Sequence, residues 1–229
     1  MPELPEVETT VAGLRTVLDH ARLTLVETRR ADLRFPFPVD LRQRLTGATI
    51  TGLGRRAKYG LIETDRGDTM IFHLGMSGRW RIDPSDIGKH DHLLVETEGH
   101  RLALHDPRRF GFVHLVESAA LGAYPPFVTL GPEPLGEDFN ADHLVRALAG
   151  RVAPIKAMLL DQRTVAGLGN IYVCEALNIA GIAPTREAGR ISKARLVRLV
   201  EAIRAVLLAA IAAGGSTLRD YARPDGELG

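Results

Sequence analysis

The second and third residues of the chain, Pro2 and Glu3, carry the groups best suited to covalent chemistry. If Met1 is removed, Pro2 becomes a secondary amine at the chain start, and an α-amino group titrates at about pH 8, so a useful fraction is unprotonated at neutral pH. Such an amine can attack a sugar aldehyde carbon and form an iminium ion, which acts as an electron sink. The carboxyl group of Glu3 lies next in sequence and can transfer protons.

The same stretch also has a purely structural interpretation. Pro5 can start a helix whose dipole is complemented by Glu6 and Glu8. This interpretation accounts for Pro5 and the later acids, but it leaves Pro2 and Glu3 unexplained. The catalytic hypothesis therefore stands beside the structural one.

Residues 55–59, Arg-Arg-Ala-Lys-Tyr, place three cations between two predicted strands. A basic loop of this kind can attract the phosphates of a nucleic acid. It can equally be an ordinary solvated loop, and the residues alone leave both interpretations open.

Residues 73–78, His-Leu-Gly-Met-Ser-Gly, follow another predicted strand. The two glycines around Met76 indicate a tight turn that exposes this side chain, because a methionine in a core needs no such neighbours. A buried methionine is the alternative.

Residues 105–111, His-Asp-Pro-Arg-Arg-Phe-Gly, predict a rigid loop because Pro107 and Gly111 bracket it. An exposed Phe110 can wedge into a base stack, and an enzyme that acts on a base must extrude it, which leaves a hole to fill. Met76, Arg108 and Phe110 form a chemically suitable set for that purpose. The alternative is a salt-bridged turn with Phe110 buried.

His90-Asp91-His92 is the nearest approach to a metal cluster in the sequence. Two histidines two positions apart on a strand point the same way, but a zinc site needs a third or fourth ligand. We assign no metal here and expect Asp91 and His92 to be structural.

Residues 161–172 are predicted to join two helices through a Gly-x-Gly turn that ends at Asn170. The free backbone N–H groups of a helix N-terminus suit a phosphate. Helix capping by Asn170 is the alternative.

The elements that would position these residues change in character along the chain. Val7, Val11, Leu14 and Leu18 recur at helical spacing, which predicts an amphipathic helix over residues 5–20. Short β-branched or apolar runs follow, and their spacing indicates a sandwich or a barrel. These runs cover residues 23–27, 48–53, 61–64, 69–73, 79–82, 92–96, 101–105 and 112–116.

A stretch rich in proline and glycine, residues 121–136, contains no periodic element, and we place a domain boundary within it, near residue 131. Beyond it the pattern predicts helices. These cover residues 142–149, 155–160, 170–180 and 192–213. The last begins at Ser192 and is closed by Gly214-Gly215, and its apolar stripe is predicted to be core.

The composition is that of a globular protein, with 45% hydrophobic and 25% charged residues. The 29 basic and 28 acidic side chains nearly cancel, so a DNA-binding surface must come from local clustering. No apolar run is long enough to span a bilayer, and the acidic start is unlike a secretory signal. The single cysteine, Cys174, excludes an internal disulfide and a thiolate-rich metal site. We therefore expect a cytoplasmic protein.

The opening Met-Pro-Glu-Leu-Pro-Glu-Val-Glu resembles the amino terminus of the formamidopyrimidine-DNA glycosylases, bacterial enzymes that excise oxidised purines. The motifs at 55–59, 73–78, 105–111 and 161–172 resemble motifs of the same family. The resemblance implies that Pro2 forms a Schiff base with DNA, and that Lys58 reaches the DNA backbone and assists elimination. Glu3 is expected to transfer protons with Lys58.

The resemblance implies two further sets of residues. Contacts with DNA are expected from His73, Met76, His90, Arg108, Phe110, Arg151 and Asn170. The pocket for the damaged base is expected to involve Glu6, Glu175, Thr217 and Tyr221. Within the first set, Met76, Arg108 and Phe110 would fill the space left by the base, with Arg108 reading the orphaned cytosine.

The family normally continues into a four-cysteine zinc finger, whose arginine grips the DNA phosphates that flank the lesion. These residues contain no such cysteines, so we assign neither zinc nor any other cofactor. Without the finger we expect weaker DNA binding and less δ-elimination, whereas the chemistry of Pro2 does not require it.

The sequence therefore predicts an α+β protein, with an N-terminal catalytic β-sandwich over residues 1–131 and a helical helix–two-turns–helix DNA-binding domain over residues 132–229. We expect a monomer that excises oxidised purines from double-stranded DNA and nicks the strand by elimination. A related oxidised-pyrimidine glycosylase is one alternative, although that enzyme normally opens Met-Pro-Glu-Gly-Pro-Glu and Leu4 disfavours it. A non-catalytic damaged-DNA-binding module that lacks its finger is the other.

Overall fold

A computed structural model describes residues 1–215 of the chain. Their contacts divide them into two units, Met1–Tyr124 and Pro125–Ala212. The division lies at the start of the proline-rich stretch, ahead of the boundary that the sequence predicts near residue 131.

The first helix, α1 (Leu4–Leu18), begins with a capping box. The backbone N–H of Glu3 donates to Oε2 of Glu6 at 2.8 Å, and the Glu3 side chain accepts from the Glu6 backbone. This exchange satisfies two helix N-terminal N–H groups and fixes Glu3 at the start of the helix. The predicted apolar face of α1 is buried, which confirms the amphipathic helix.

Eight strands follow, and every strand predicted from the sequence is confirmed. They are β1 (Leu25–Thr28), β2 (Ile50–Arg56), β3 (Tyr59–Thr64), β4 (Asp68–His73), β5 (Arg79–Ile82), β6 (Asp91–Glu96), β7 (Arg101–His105) and β8 (Phe112–Glu117). They form two antiparallel four-stranded sheets, with strand orders β1-β6-β7-β5 and β2-β3-β4-β8. A short helix, α2 (Leu41–Leu45), lies between β1 and β2 and was not predicted.

The two sheets and α1 share one hydrophobic core. Phe72 of β4 and Trp80 of β5 meet edge to face there, with ring centroids 5.7 Å apart. Because side chains alternate along a strand, the neighbouring His73 points to the opposite face of its sheet. Two separate sheets packed on one core make this unit a sandwich, so the α+β prediction is confirmed and the barrel alternative is wrong.

The second unit is helical. Its helices are α3 (Pro125–Val128), α4 (Ala141–Leu148), α5 (Ile155–Leu160), α6 (Asn170–Ile179) and α7 (Lys193–Ala212). The four predicted helices are confirmed to within one residue at each end, whereas α3 was missed. The apolar stripe of α7 is buried as predicted, and none of the helices described in residues 1–215 has the length and apolarity to cross a membrane.

Candidate active site

Pro2 and Glu3 are buried at the start of α1, and Glu3 is only 2% exposed. Glu6, in the first helical turn, is equally buried and is held by the capping box. Met1, in contrast, is 47% exposed. The chain start therefore places a carboxyl group that is shielded from water directly beside Pro2.

Lys58 reaches the same group of carboxylates from the β2–β3 hairpin. The hairpin has a two-residue loop, Ala57-Lys58, and Ala57 takes the left-handed conformation (φ 52°) that such tight loops require. Arg55 ties this hairpin to α1, because its Nε donates to Oε2 of Glu8 at 2.7 Å.

Lys58 is 9% exposed. Burial lowers the pKa of its ammonium group, and the negative charges of Glu3 and Glu6 oppose that shift. The structure thus brings Lys58 close to Glu3 and Glu6, which lie more than fifty residues earlier in the sequence, in a site where a lysine can take part in proton transfer more readily than in water.

His73, at the end of β4, is held as a neutral ring. Its Nδ1 accepts a hydrogen bond from the backbone N–H of Gly75 at 3.0 Å, so the proton of the neutral imidazole lies on Nε2. The ring stacks on Phe112 with centroids 5.2 Å apart. Burial lowers the pKa of His73 to about 4, and the positive charges of Lys58 and Arg34 act in the same direction. His73 can therefore offer a phosphate an N–H donor but no charge.

The turn that carries Met76 lies against the loop that carries Phe110. Gly75 adopts a left-handed conformation (φ 62°), and a Cβ atom there would lie 2.3 Å from the carbonyl carbon of Phe110. Only glycine allows this approach. The two predicted loops are thus neighbours, although about thirty residues separate them in the sequence.

Arg108 and Phe110 lie on the surface of this loop. Phe110 is 45% exposed, and the guanidinium carbon of Arg108 lies 4.9 Å from its ring centroid. This is a cation–π contact between two exposed side chains. The alternative of a salt-bridged turn with a buried Phe110 is wrong.

His90 precedes β6 and is half-buried beside His92 and His105, with ring centroids 6.2 and 5.9 Å away. His92 donates from Nε2 to the carbonyl of Asp106 at 2.9 Å, because a carbonyl can only accept. Burial lowers the pKa of His92. Its ring is therefore held neutral in a structural contact, as predicted.

Asp91 is fully buried, and its carboxylate accepts from the backbone of Gly88, from His105 and from Arg81. Burial raises its pKa, but these partners outweigh that effect and lower it. Asp91 therefore holds the start of β6 in place, as predicted. Among residues 1–215, no group of three or more His, Cys, Asp and Glu side chains is placed to hold a metal ion.

In the second unit, residues 161–169 join α5 to α6 through turns, within the segment 161–172 that the sequence predicts to join two helices through a Gly-x-Gly turn. Gln162 shapes them, because its side chain donates to the carbonyls of Leu160 and Leu168 and accepts from the N–H of Gly167. Gly169 occupies the N-cap position of α6 and Asn170 is its first residue, so helix capping by Asn170 is wrong.

Three predicted site residues of this unit lie on its surface. Asn170 and Glu175 are exposed on α6, and Arg151 is exposed just after α4. Thr217 and Tyr221 lie outside the described residues. The contacts with DNA and with a damaged base therefore remain predictions for all five.

Comparison with known proteins identifies the family. Residues 1–113 match the model of the formamidopyrimidine-DNA glycosylase N-terminal domain, and residues 130–222 match that of the formamidopyrimidine-DNA glycosylase H2TH domain. The chain belongs to the formamidopyrimidine-DNA glycosylase family. A relative of that name from Rhizorhabdus wittichii is 76% identical over 100% of this chain, which covers 85% of the relative, and one from Sphingopyxis alaskensis is 67% identical with the same coverage.

Solved structures of formamidopyrimidine-DNA glycosylases share the fold. The enzyme from Thermus thermophilus superposes with a TM-score of 0.89 at 39% identity, over 100% of this chain and 84% of that one. The Lactococcus lactis enzyme in complex with abasic-site DNA gives a TM-score of 0.91 at 34% identity, over 100% and 85%.

Sequence reasoning missed two residues that shape the candidate site. Arg34 adds positive charge beside His73 and Tyr59. The sequence places Arg34 in a loop and does not show that it lies near these two residues. Asp106 is almost completely buried between two candidate DNA-contacting loops. The Asp-Pro pair at 106–107 is a turn signal, and it was the one sequence feature that could have marked this position.

Proposed function

We propose that this protein is a DNA glycosylase with AP lyase activity, which excises oxidised purines such as 8-oxoguanine and formamidopyrimidines during base-excision repair. The observation that carries the proposal is the buried group of Pro2, Glu3 and Lys58 in a member of this family. Solved family members from Lactococcus lactis form complexes with DNA that contains an abasic site and with DNA that contains N7-benzyl-Fapy-dG.

In the proposed reaction, the processed chain begins at Pro2, whose secondary amine attacks C1′ of the damaged nucleotide while the oxidised base leaves with a proton. Cleavage of the C1′–O4′ bond, with O4′ taking a proton, then opens the sugar ring and gives the iminium ion, which draws electrons from the sugar. Loss of a proton from C2′ then expels the 3′ phosphate, which nicks the strand. Glu3 and Lys58 transfer the protons, and His73 donates its Nε2 proton in a hydrogen bond to a DNA phosphate.

The second proposed group holds the DNA after the base has left the stack. Met76, Arg108 and Phe110 fill the gap, and the exposed Phe110 ring suits this role because it need not be uncovered first. The proposal also assigns contacts with the DNA backbone to His90, Arg151 and Asn170, and contacts with the extruded base to Glu6 and Glu175. Thr217 and Tyr221, which lie outside the described residues, stay predicted contacts of that base.

The residues present do not form the zinc site of the family, since the chain has one cysteine, Cys174. We assign no step to a metal or other cofactor. We propose that the protein acts as a monomer in the bacterial cytoplasm, where its double-stranded DNA substrate lies.

Borohydride trapping tests the proposal. The purified chain is incubated with duplex DNA containing 8-oxoguanine opposite cytosine, reduced, and examined for a covalent adduct. We expect an adduct with the wild-type chain and with the loop variant Pro84→Ala, and none with Pro2→Gly. Retention of Met1 in the active protein, found by mass spectrometry, would overturn the role of Pro2.

The same assay separates the alternative functions. Preferential trapping on an oxidised pyrimidine would identify the related pyrimidine glycosylase. Binding of the lesion duplex without any trapping would identify a non-catalytic module.

A further inference from the structure

Asp106 follows β7 and is 1% exposed, yet its carboxylate faces two different loops. Oδ1 accepts from the hydroxyl of Ser77 at 2.8 Å, and Oδ2 accepts from the backbone N–H of Gly111 at 2.8 Å. Ser77 directly follows Met76, and Gly111 directly follows Phe110. One carboxylate thus joins the Met76 turn (residues 74–78) to the Phe110 loop (residues 107–111).

The backbone of Asp106 makes further bonds. Its N–H donates to the carbonyl of His90 at 3.0 Å, and its carbonyl accepts from the N–H of Arg109 at 3.2 Å and from His92. Asp106 therefore contacts three segments of the first unit that carry expected DNA contacts, those of Met76, His90 and Phe110.

A second contact joins the two loops directly. The hydroxyl oxygen of Ser77 also accepts from the backbone N–H of Arg108 at 3.4 Å, and Gly75 lies against the backbone of Phe110. Both partners of the Asp106 carboxylate donate to it, so both of its oxygens act as acceptors in this arrangement. An amide offers only one acceptor, and alanine would leave the N–H of Gly111 buried without a partner.

We propose that Asp106 is a positioning residue that locks the Met76 turn and the Phe110 loop into one rigid wedge before DNA binds. This inference rests on the proposed function. A wedge that is already ordered enters the base stack without losing conformational entropy at that moment, so Asp106 accelerates base extrusion rather than the chemistry at Pro2.

The test compares two substrates that differ in their need for a wedge. An 8-oxoguanine duplex requires base extrusion, whereas a single strand with a preformed abasic site has neither a base to extrude nor a duplex gap to fill. We expect Asp106→Ala to slow single-turnover excision from the duplex about 100-fold and Asp106→Asn about tenfold, since charge-assisted bonds to buried donors are lost. Trapping on the abasic single strand should stay within about twofold of wild type, which also shows that the fold is intact.

Asp83→Ala is the matched control. Asp83 accepts from the N–H of Arg101 at the other end of β7 and from His100, so it is a second carboxylate that supports a loop of the same sheet. This variant should retain wild-type excision. An equal loss on both substrates, or an equal loss in the control, would overturn the positioning role.

Hydrogen–deuterium exchange tests the coupling of the loops without relying on activity. In Asp106→Ala, amides of both residues 74–78 and residues 107–111 should exchange at least about tenfold faster, because both loops lose the shared carboxylate. Faster exchange in residues 107–111 alone would overturn the inference. If the wild-type chain traps no DNA at all, the proposed function fails, and the exchange experiment still decides whether Asp106 holds the loops as one body.

Discussion

Replacing His73 by asparagine should make the stability of the first unit less sensitive to acid. The amide oxygen of His73→Asn can take the place of Nδ1 as acceptor for the N–H of Gly75, while the titratable ring is removed. Loss of the ring's packing against Phe112 should lower the free energy of unfolding at pH 7.5 by about 1 to 3 kcal/mol.

The magnitude of the pH effect follows from the two protonation states. Burial and nearby positive charge lower the pKa of His73 from 6.5 to about 4 in the folded protein. Below pH 6.5 the unfolded chain therefore binds a proton that the folded protein does not bind until about pH 4, so stability is lost as the pH falls through this window. By pH 4.5 this loss amounts to about 2.5 kcal/mol in the wild-type chain. It is absent from the variant.

Urea denaturation between pH 4.5 and pH 7.5 measures the difference. Trp80, the sole tryptophan, lies in the core of the same unit, so its fluorescence reports the unfolding of that unit. We expect the stability of wild type relative to His73→Asn to fall by about 2.5 kcal/mol on acidification, so that the gap closes or reverses. Ile71→Val, a packing change on the same strand that retains the imidazole, should cost about 1 kcal/mol at every pH. A gap for His73→Asn that stays constant over this range would refute the reasoning.

Three further predictions address other parts of the chain. Gly75→Ala should destabilise the first unit by more than about 2 kcal/mol and abolish excision, because its Cβ would overlap the backbone of Phe110. The control Gly99→Ala lies in an open turn and should change little in the same urea and trapping assays. Lys58→Arg should move the alkaline limb of the pH–rate profile for nicking to higher pH, because burial lowers the pKa of the lysine while a guanidinium stays protonated. Identical profiles for the two proteins from pH 6 to pH 10 would contradict this. Gln162→Ala removes three hydrogen bonds within the turns between α5 and α6. It should lower the free energy of unfolding of the helical unit, measured by circular dichroism, by about 2 to 3 kcal/mol. A change below about 0.5 kcal/mol would show that these bonds do not hold the turns.

The sequence by itself determined the secondary structure, because each element of sufficient length repeats its apolar residues with its own period. All eight strands, α1 and the four longer helices could be read in this way. The short helices α2 and α3 were missed because four or five residues cover too little of the helical period to produce a pattern. The motifs around Pro2, Lys58 and Phe110 were also evident in the sequence, and with them the family.

Only the tertiary structure decided the burial and the protonation of the site residues. The β2–β3 hairpin buries Lys58 near Glu3 and Glu6, and this burial determines the direction of its pKa shift. Sheet register stacks Phe112 on His73 and helps to keep that ring neutral. Burial and protonation depend on what packs around a group, and the packing partners come from distant parts of the chain.

Asp106 is the clearest example of a residue whose packing partners cannot be read from the sequence. In the sequence it is one of many aspartates, and only the folded sandwich places its two carboxylate oxygens between the Met76 turn and the Phe110 loop. A periodic pattern reports which side of an element faces the core, but it carries no information about which loops meet at the ends of strands.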